Sequence, residues 1–497
     1  RPDYLLPRYN QAALLVAGGK TDGRERAGRL LDQLLRLAPD FAPAYFLKGR
    51  IASEDSDLAG ALLQYEPAAR LDRTFWKAHY NQALVALDLG RLNVAQPRFS
   101  QLAKDFPTRA EPHFNLGRIA YREERYRDAV DAYRKALAMA PDYPEAQLNL
   151  GLALDAAERF DEALAAFDAV RTHPQVGASA ELNRGIVLEH LGRLDEARAA
   201  FTAAEHARSG YPAALYNLAR LDAKDGNHAQ AALAYEQVLA KDPNNLKAAV
   251  NLGVERAASK DWTGAADAYR KALTLSPDYP PALFNLGLAL RNAKKLDEAS
   301  ETYRRLIETD EENTKAYKNL AVVYALQGRH DQAALILLTA LEGAASDTGL
   351  RFNLALQYVA LKRDTDALSE LTRVLRLAPH HLKAALTLAT LQRAAGDLDA
   401  AAQAIEPFVR SAKPPAKARL SLALTRLAQG HRDAAAAELT PVLDVDAGNV
   451  RALRLLLRAD AALGRTRLQA ALTQAPNSPA LLKLQRELAP PKEPEIK

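Results

Sequence analysis

The chain has 497 residues, of which 48% are hydrophobic, 26% charged and only 6% aromatic, and its formal net charge is +5. That balance is too apolar for a disordered chain and too charged for a membrane bundle, and no window approaches the roughly 18 uninterrupted apolar residues of a transmembrane helix. Cysteine is absent, which excludes disulfide frameworks, thiol nucleophiles and zinc sites built on thiolates.

The length exceeds that of one ordinary domain unless a single repetitive architecture uses it all. The first residues are Arg1-Pro2-Asp3, without methionine, the start expected of a processed or trimmed product. Charge is unevenly placed, with 14 Lys/Arg against 8 Asp/Glu in residues 411–497. A nucleic-acid-binding face would add aromatic stacking platforms to such a basic stretch. Without them this end reads as solvated surface, and no nucleic-acid partner is expected.

Residues 1–7 read as a lead-in, after which a period of 34 governs the chain. Stepping by 34 from Gly49 visits Ala83, Gly117, Gly151, Gly185, Ala219, Gly253, Gly287, Ala321, Ala355, Ala389 and Ala423. Twelve residues beyond each lies an alanine, from Ala61 and Ala95 to Ala435. Small residues let helix axes approach to about 8 Å, so the two series predict antiparallel helix pairs meeting at these points. Four residues past the alanine stand Tyr65, Phe99, Tyr133, Phe167, Phe201, Tyr235, Tyr269 and Tyr303, then Leu337, Leu371, Ile405 and Leu439. These read as core knobs rather than a cofactor box.

Gly90, Gly192, Gly226, Gly328, Gly396, Gly430 and Gly464 are expected at the turn inside each pair. Asp161, Asp195 and Asp297 are expected to cap second helices, and Pro39, Pro107, Pro141, Pro243, Pro277 and Pro379 to close them. The units run from 8–41 to 416–449. Residues 450–488 read as a degenerate last repeat with a shortened second helix plus a capping helix near Ser478–Leu488. Residues 489–497 read as a disordered tail.

This constellation resembles the tetratricopeptide repeat family over nearly the whole chain. The resemblance implies an all-α fold, a right-handed α-solenoid of antiparallel hairpins with about thirteen repeats. No Gly-x-Gly-x-x-Gly, phosphate loop or His-Glu-x-x-His occurs, so neither catalysis nor a cofactor is expected. The histidines are scattered, with His79 and His113 at one repeat position and His380-His381 at a turn. They read as surface or packing residues, not metal ligands.

One polar series asks for its own account. Two residues before the small Gly/Ala stand Asn81, Asn115, Asn149, Asn183, Asn217, Asn251, Asn285, Asn319 and Asn353. Asparagine disfavours helix interiors, so its recurrence suggests a task for the amide, which offers both a donor and an acceptor. The family resemblance implies that this position faces a concave groove. In the related O-linked N-acetylglucosamine transferases such a ladder holds an extended polypeptide by its backbone. The alternative is that each amide bonds only the neighbouring repeat.

One residue before the ladder stand Tyr80, Phe114, Tyr216, Phe284 and Phe352, which would either clasp apolar ligand side chains or pack between first helices. Four residues before it stand Lys77, Lys247, Lys315 and Lys383, favouring an acidic partner segment toward the C-terminal half. The expected function is a non-enzymatic scaffold for protein or peptide partners, with no direct membrane span. Two other readings are an assembly component of a bacterial periplasmic polysaccharide-export or pilus system, and the substrate-recognition arm of a larger glycosyltransferase.

Overall fold

The computed structural model describes residues 2–488, and the tail expected at 489–497 lies outside the described residues. Twenty-nine helices, numbered α1 to α29 in chain order, make an all-α helical repeat solenoid, with no strand among the described residues. The chain divides into two compact units, Arg1–Ala248 and Ala249–Lys497. Within each, consecutive helices pair as hairpins, and first helices of neighbouring hairpins also touch. The first helices that matter below are α5 (Trp76–Asp88), α7 (Glu111–Arg122), α9 (Pro144–Ala156), α11 (Gly177–His190) and α13 (Pro212–Lys224) in the N-terminal unit. In the C-terminal unit they are α17 (Pro280–Asn292), α19 (Thr314–Leu326) and α21 (Thr348–Ala360).

Two residue ladders bring each hairpin together. Every alanine from Ala61 to Ala435 in the second-helix series is fully buried, and the eight aromatic knobs from Tyr65 to Tyr303 are no more than 2% exposed. The rings lie directly over the first-helix glycines. A Cβ on Gly49 would stand 2.6 Å from Tyr65 Cε1, one on Gly117 2.6 Å from Tyr133, and one on Gly185 2.5 Å from Phe201. From Ala321 onward the first-helix residue is alanine and the knob is aliphatic, a volume exchange that keeps the interior filled.

The turn inside the hairpin is equally regular. Gly90, Gly192, Gly226, Gly328, Gly396 and Gly430 all have positive φ, and so do Ser56, Glu124, Glu158, Lys260, Lys294 and Lys362 at the same repeat position. The next residue's N–H then reaches back across the turn, as in Arg91 to Ala86 O at 2.8 Å and Arg125 to Ala120 O at 2.9 Å, the Schellman closure of a helix end. Six of the expected prolines, Pro39, Pro107, Pro141, Pro243, Pro277 and Pro379, lie two residues beyond the end of a second helix.

Two expectations are corrected. Asp161, Asp195 and Asp297 do not cap their helices, α10 (Phe160–Asp168), α12 (Leu194–Ala207) and α18 (Leu296–Thr309), whose N-cap residues are Arg159, Arg193 and Lys295. The half-buried Phe160, Leu194 and Leu296 start each helix earlier, leaving the carboxylate in the first turn, where it favours the positive end of the helix dipole. True side-chain caps are Asp57, Asp261 and Asp397, which accept from the backbone N–H of Gly60, Gly264 and Ala400.

The last pair is shortened in the other helix from the one expected. Its first helix, α27 (Val450–Ala459), is the short one, while α28 (Ala461–Gln474) keeps 14 residues and contains Gly464. Asp460 decides this, because its carboxylate accepts from the N–H groups of both Ala462 and Leu463 and starts α28 at once. Gly464 is thus a packing residue, since a Cβ there would stand 2.8 Å from the Leu457 backbone. The final helix, α29 (Pro479–Leu488), buries Leu481 and Leu484.

Candidate functional site

Each ladder asparagine occupies the middle of a first helix. Asn115 is buried and the other eight are half-buried. Much of their hydrogen-bonding capacity is used inside the helix. The side-chain N–H groups of Asn115, Asn149, Asn183, Asn217 and Asn319 donate to the carbonyl four residues back, at 2.7–3.0 Å. Asn115 also donates to Tyr80 Oη at 3.1 Å, and Asn81 donates to Tyr65 Oη at 3.4 Å. An amide N–H2 has two hydrogens, so one internal bond does not exhaust it.

The amide oxygen separates the ladder into two kinds. Arg118 donates to Asn115 Oδ1 at 2.9 Å and Arg220 to Asn217 Oδ1 at 3.0 Å. Arg291, from the preceding first helix, donates to Asn319 Oδ1 at 2.9 Å. By contrast, the side-chain oxygens of Asn81, Asn149, Asn183, Asn285 and Asn353 accept from no protein donor among the described residues. The signal for this was in the sequence, because an arginine three residues after the asparagine, as at Arg118 and Arg220, takes its oxygen. Where Leu152, Ile186, Leu288 or Leu356 follows instead, no such donor is present.

That same position carries an apolar series not anticipated from the sequence. Val254, Val322 and Leu356 are exposed in the C-terminal unit, and Leu288 is half-buried among them. These residues follow the asparagine by one helical turn and share its face.

The aromatic neighbours pack between elements. Tyr80 stacks on Trp76 at 5.1 Å and meets Phe99 edge-on at 5.9 Å. Phe114 lies 5.8 Å from Tyr133 and 4.9 Å from Tyr143, Tyr216 lies 5.5 Å from Tyr235, Phe284 lies 6.2 Å from Tyr303 and Phe352 lies 4.9 Å from His381. Each ring therefore braces its own hairpin or the start of the next, and all five residues are half-buried. Burial raises the Tyr80 phenol above its usual pKa, which keeps it protonated.

Lys247, Lys315 and Lys383 are exposed and pair with no carboxylate among the described residues. Two hollows open between first helices of the N-terminal unit. One of about 430 Å³ is lined by Tyr211, Tyr216, Asn217, Asp242, Asn245 and Lys247. The other, about 350 Å³, holds Asn81 beside Arg50, Ser53 and Tyr65. Carboxamides neither titrate near neutral pH nor act as nucleophiles, so this face can hold a chain by hydrogen bonds.

A tetratricopeptide repeat model matches residues 80–144, 114–176 and 148–212, and the middle TPR-like domain of cilia and flagella-associated protein 70 matches 215–340. The chain belongs to the tetratricopeptide repeat family. Proteins of this family are in general scaffolds for protein or peptide partners, and no helix of this array among the described residues is long and apolar enough to cross a membrane. The array is similar to a tetratricopeptide repeat protein from Parabacteroides merdae, with 17% identity, a TM-score of 0.37 and coverage of 49% of this chain and 97% of that one. It is similar to pilF of Pseudomonas aeruginosa at 22% identity and a TM-score of 0.35, covering 43% and 97% of the two chains. A chain of the APC/C hetero-tetramer Cut9–Hcn1 aligns at 16% identity and a TM-score of 0.36, covering 93% of this chain and 96% of its own. No curated protein matches the sequence.

Proposed function

We propose that this tetratricopeptide array is a non-catalytic scaffold that holds extended segments of partner proteins along its first helices. The observation carrying this reading is the set of unspent amide oxygens at Asn149, Asn183, Asn285 and Asn353, each one helical turn from an apolar side chain. An extended peptide presents backbone N–H groups and alternating side chains, and that pairing matches an acceptor beside an apolar patch. Each contact is worth about 0.5–1.5 kcal/mol net, so affinity accumulates along the array with little sequence discrimination. The unpaired Lys315 and Lys383 favour acidic residues in the segment held by the C-terminal unit.

Two double variants test this, Asn149→Ala with Asn183→Ala and Asn285→Ala with Asn353→Ala, each assayed on an array of random unstructured peptides. We expect each pair to weaken retained peptides about tenfold without change in helicity. An unaltered peptide profile in both would remove the ladder from the binding surface. Asn115→Ala is the control, since its oxygen already faces Arg118. It should cost stability and leave the profile intact.

A further inference from the structure

A hollow of about 600 Å³ in the N-terminal unit lies away from the ladder. Its walls are the second helices α4 (Leu58–Leu71) and α6 (Leu92–Asp105), and α5 is its floor. The floor is anomalous by the chain's own standard. At the repeat position of Gln82, leucine stands in ten other units, among them Leu116, Leu150, Leu218 and Leu252. At the position of Arg98 the next five units all have alanine, from Ala132 to Ala268. Two polar replacements in one repeat thus change the chemistry of the hollow.

The buried replacement, Gln82, is not satisfied by the protein, and Arg98 stands exposed at the rim. Gln82 is 4% exposed, and its Oε1 is buried without a hydrogen-bond partner, as is Nε2 of the neighbouring His79. A buried orphan acceptor forfeits its bond to water and gains none in return, so such a residue in place of leucine calls for a compensating donor. Arg70, Arg73 and Arg98 line the same space, and no carboxylate among the described residues pairs with them. Glu66 and Asp105 complete the rim, and Asp105 already accepts from Gln101 Nε2 at 2.8 Å.

We infer that this hollow is a binding site for a small hydroxylated anion, a sugar phosphate or a sugar acid. The volume falls within the range of about 300–1,000 Å³ of small-molecule sites. Guanidinium groups take a phosphate or carboxylate by paired N–H donors. A ligand hydroxyl donates to Gln82 Oε1, and the rim carboxylates accept from further hydroxyls. A bare anion brings no set of sugar hydroxyls to share between Gln82 and the rim carboxylates, and a neutral sugar makes no charge-assisted contact with the arginines.

The test is calorimetric titration of the whole chain with glucose 6-phosphate, glucuronate, inorganic phosphate and glucose. The site predicts saturable binding of one molecule per chain for glucose 6-phosphate or glucuronate, and which of the two binds assigns the anion as phosphate or carboxylate. Inorganic phosphate should bind at least about tenfold more weakly, and glucose should not bind. Gln82→Leu with Arg98→Ala installs the residues that neighbouring repeats carry, so it should keep the helicity and raise the melting temperature while weakening the anion at least about tenfold. Arg98→Ala alone should weaken binding with Gln82 still in place. Absence of binding by both sugar anions, equal binding of glucose, or unchanged affinity in the double variant would overturn the assignment.

Discussion

Gly185→Ala is the sharpest test of how the hairpins close. In most helices this exchange stabilises by about 0.5–1 kcal/mol, because alanine restricts the unfolded chain and favours the helix. Here the new Cβ would meet Phe201 Cε1 at 2.5 Å, Cδ1 at 2.6 Å and Cζ at 3.0 Å. Phe201 is fully buried, so to admit the methyl either the ring shifts from its rotamer or α11 and α12 move apart. Overpacking of this kind costs about 1–3 kcal/mol, and subtracting the helical gain leaves a net loss of about 0.5–2 kcal/mol. The control is Gly28→Ala in α2 (Thr21–Leu37), where a Cβ meets nothing within 4 Å; it should stabilise by about 0.5–1 kcal/mol. Urea melts followed by circular dichroism, with hydrogen exchange across residues 177–207, read both changes. Phe201→Leu provides the second leg of a double-mutant cycle. Leucine over alanine is the pairing found at Ala321 and Leu337, so Gly185→Ala should cost much less in the Phe201→Leu background. If Gly185→Ala stabilised as much as Gly28→Ala, the ring-over-glycine account would fail.

Three further outcomes follow from local geometry. Glu124 holds φ 57° in a hairpin turn where other units use glycine, so Glu124→Gly should stabilise by about 0.5–1 kcal/mol, and a melt showing destabilisation would refute turn strain. Glu181 is buried, its Oε2 accepts no hydrogen bond and lies 3.8 Å from Arg184 Nη1, and burial raises its carboxyl pKa against the lowering influence of Arg184 and Arg171. A raised folded pKa means stability that is present below the unfolded value and lost as pH rises through the folded one. Glu181→Gln should therefore exceed the native chain by about 1 kcal/mol at neutral pH, with the gap closing as pH falls toward 4; a gap that widens on acidification would contradict this. Asp460→Ala removes both cap bonds of α28 and should cost about 1 kcal/mol, seen as faster hydrogen exchange of Ala462 and Leu463.

Much of the fold was legible because it is periodic. The alanines from Ala61 to Ala435 and the prolines from Pro39 to Pro379 report helix contacts and helix ends locally, and those positions pack and terminate as their chemistry requires. Gly464 misled because its spacing imitates the turn glycines, while the short-range signal that governs the last pair is the Asp460 cap. The aspartates at 161, 195 and 297 misled for a related reason, since a half-buried apolar residue one position earlier begins the helix before them.

The candidate site was legible as a list and not as an arrangement. Nine asparagines at one repeat position are visible in the primary structure, and so are the arginines three residues after Asn115 and Asn217. Whether an amide oxygen is taken by such an arginine, or by one reaching from the preceding helix as Arg291 does, depends on distances across elements. The same holds for Gln82, whose departure from leucine can be counted in the sequence but whose orphaned oxygen cannot. Periodic spacing alone determined that this chain stacks helix hairpins, because small and large side chains at fixed intervals leave one efficient way to bury apolar surface. Tertiary structure decided which polar groups remain available, because a hydrogen bond depends on where two groups meet in space and not on their separation along the chain.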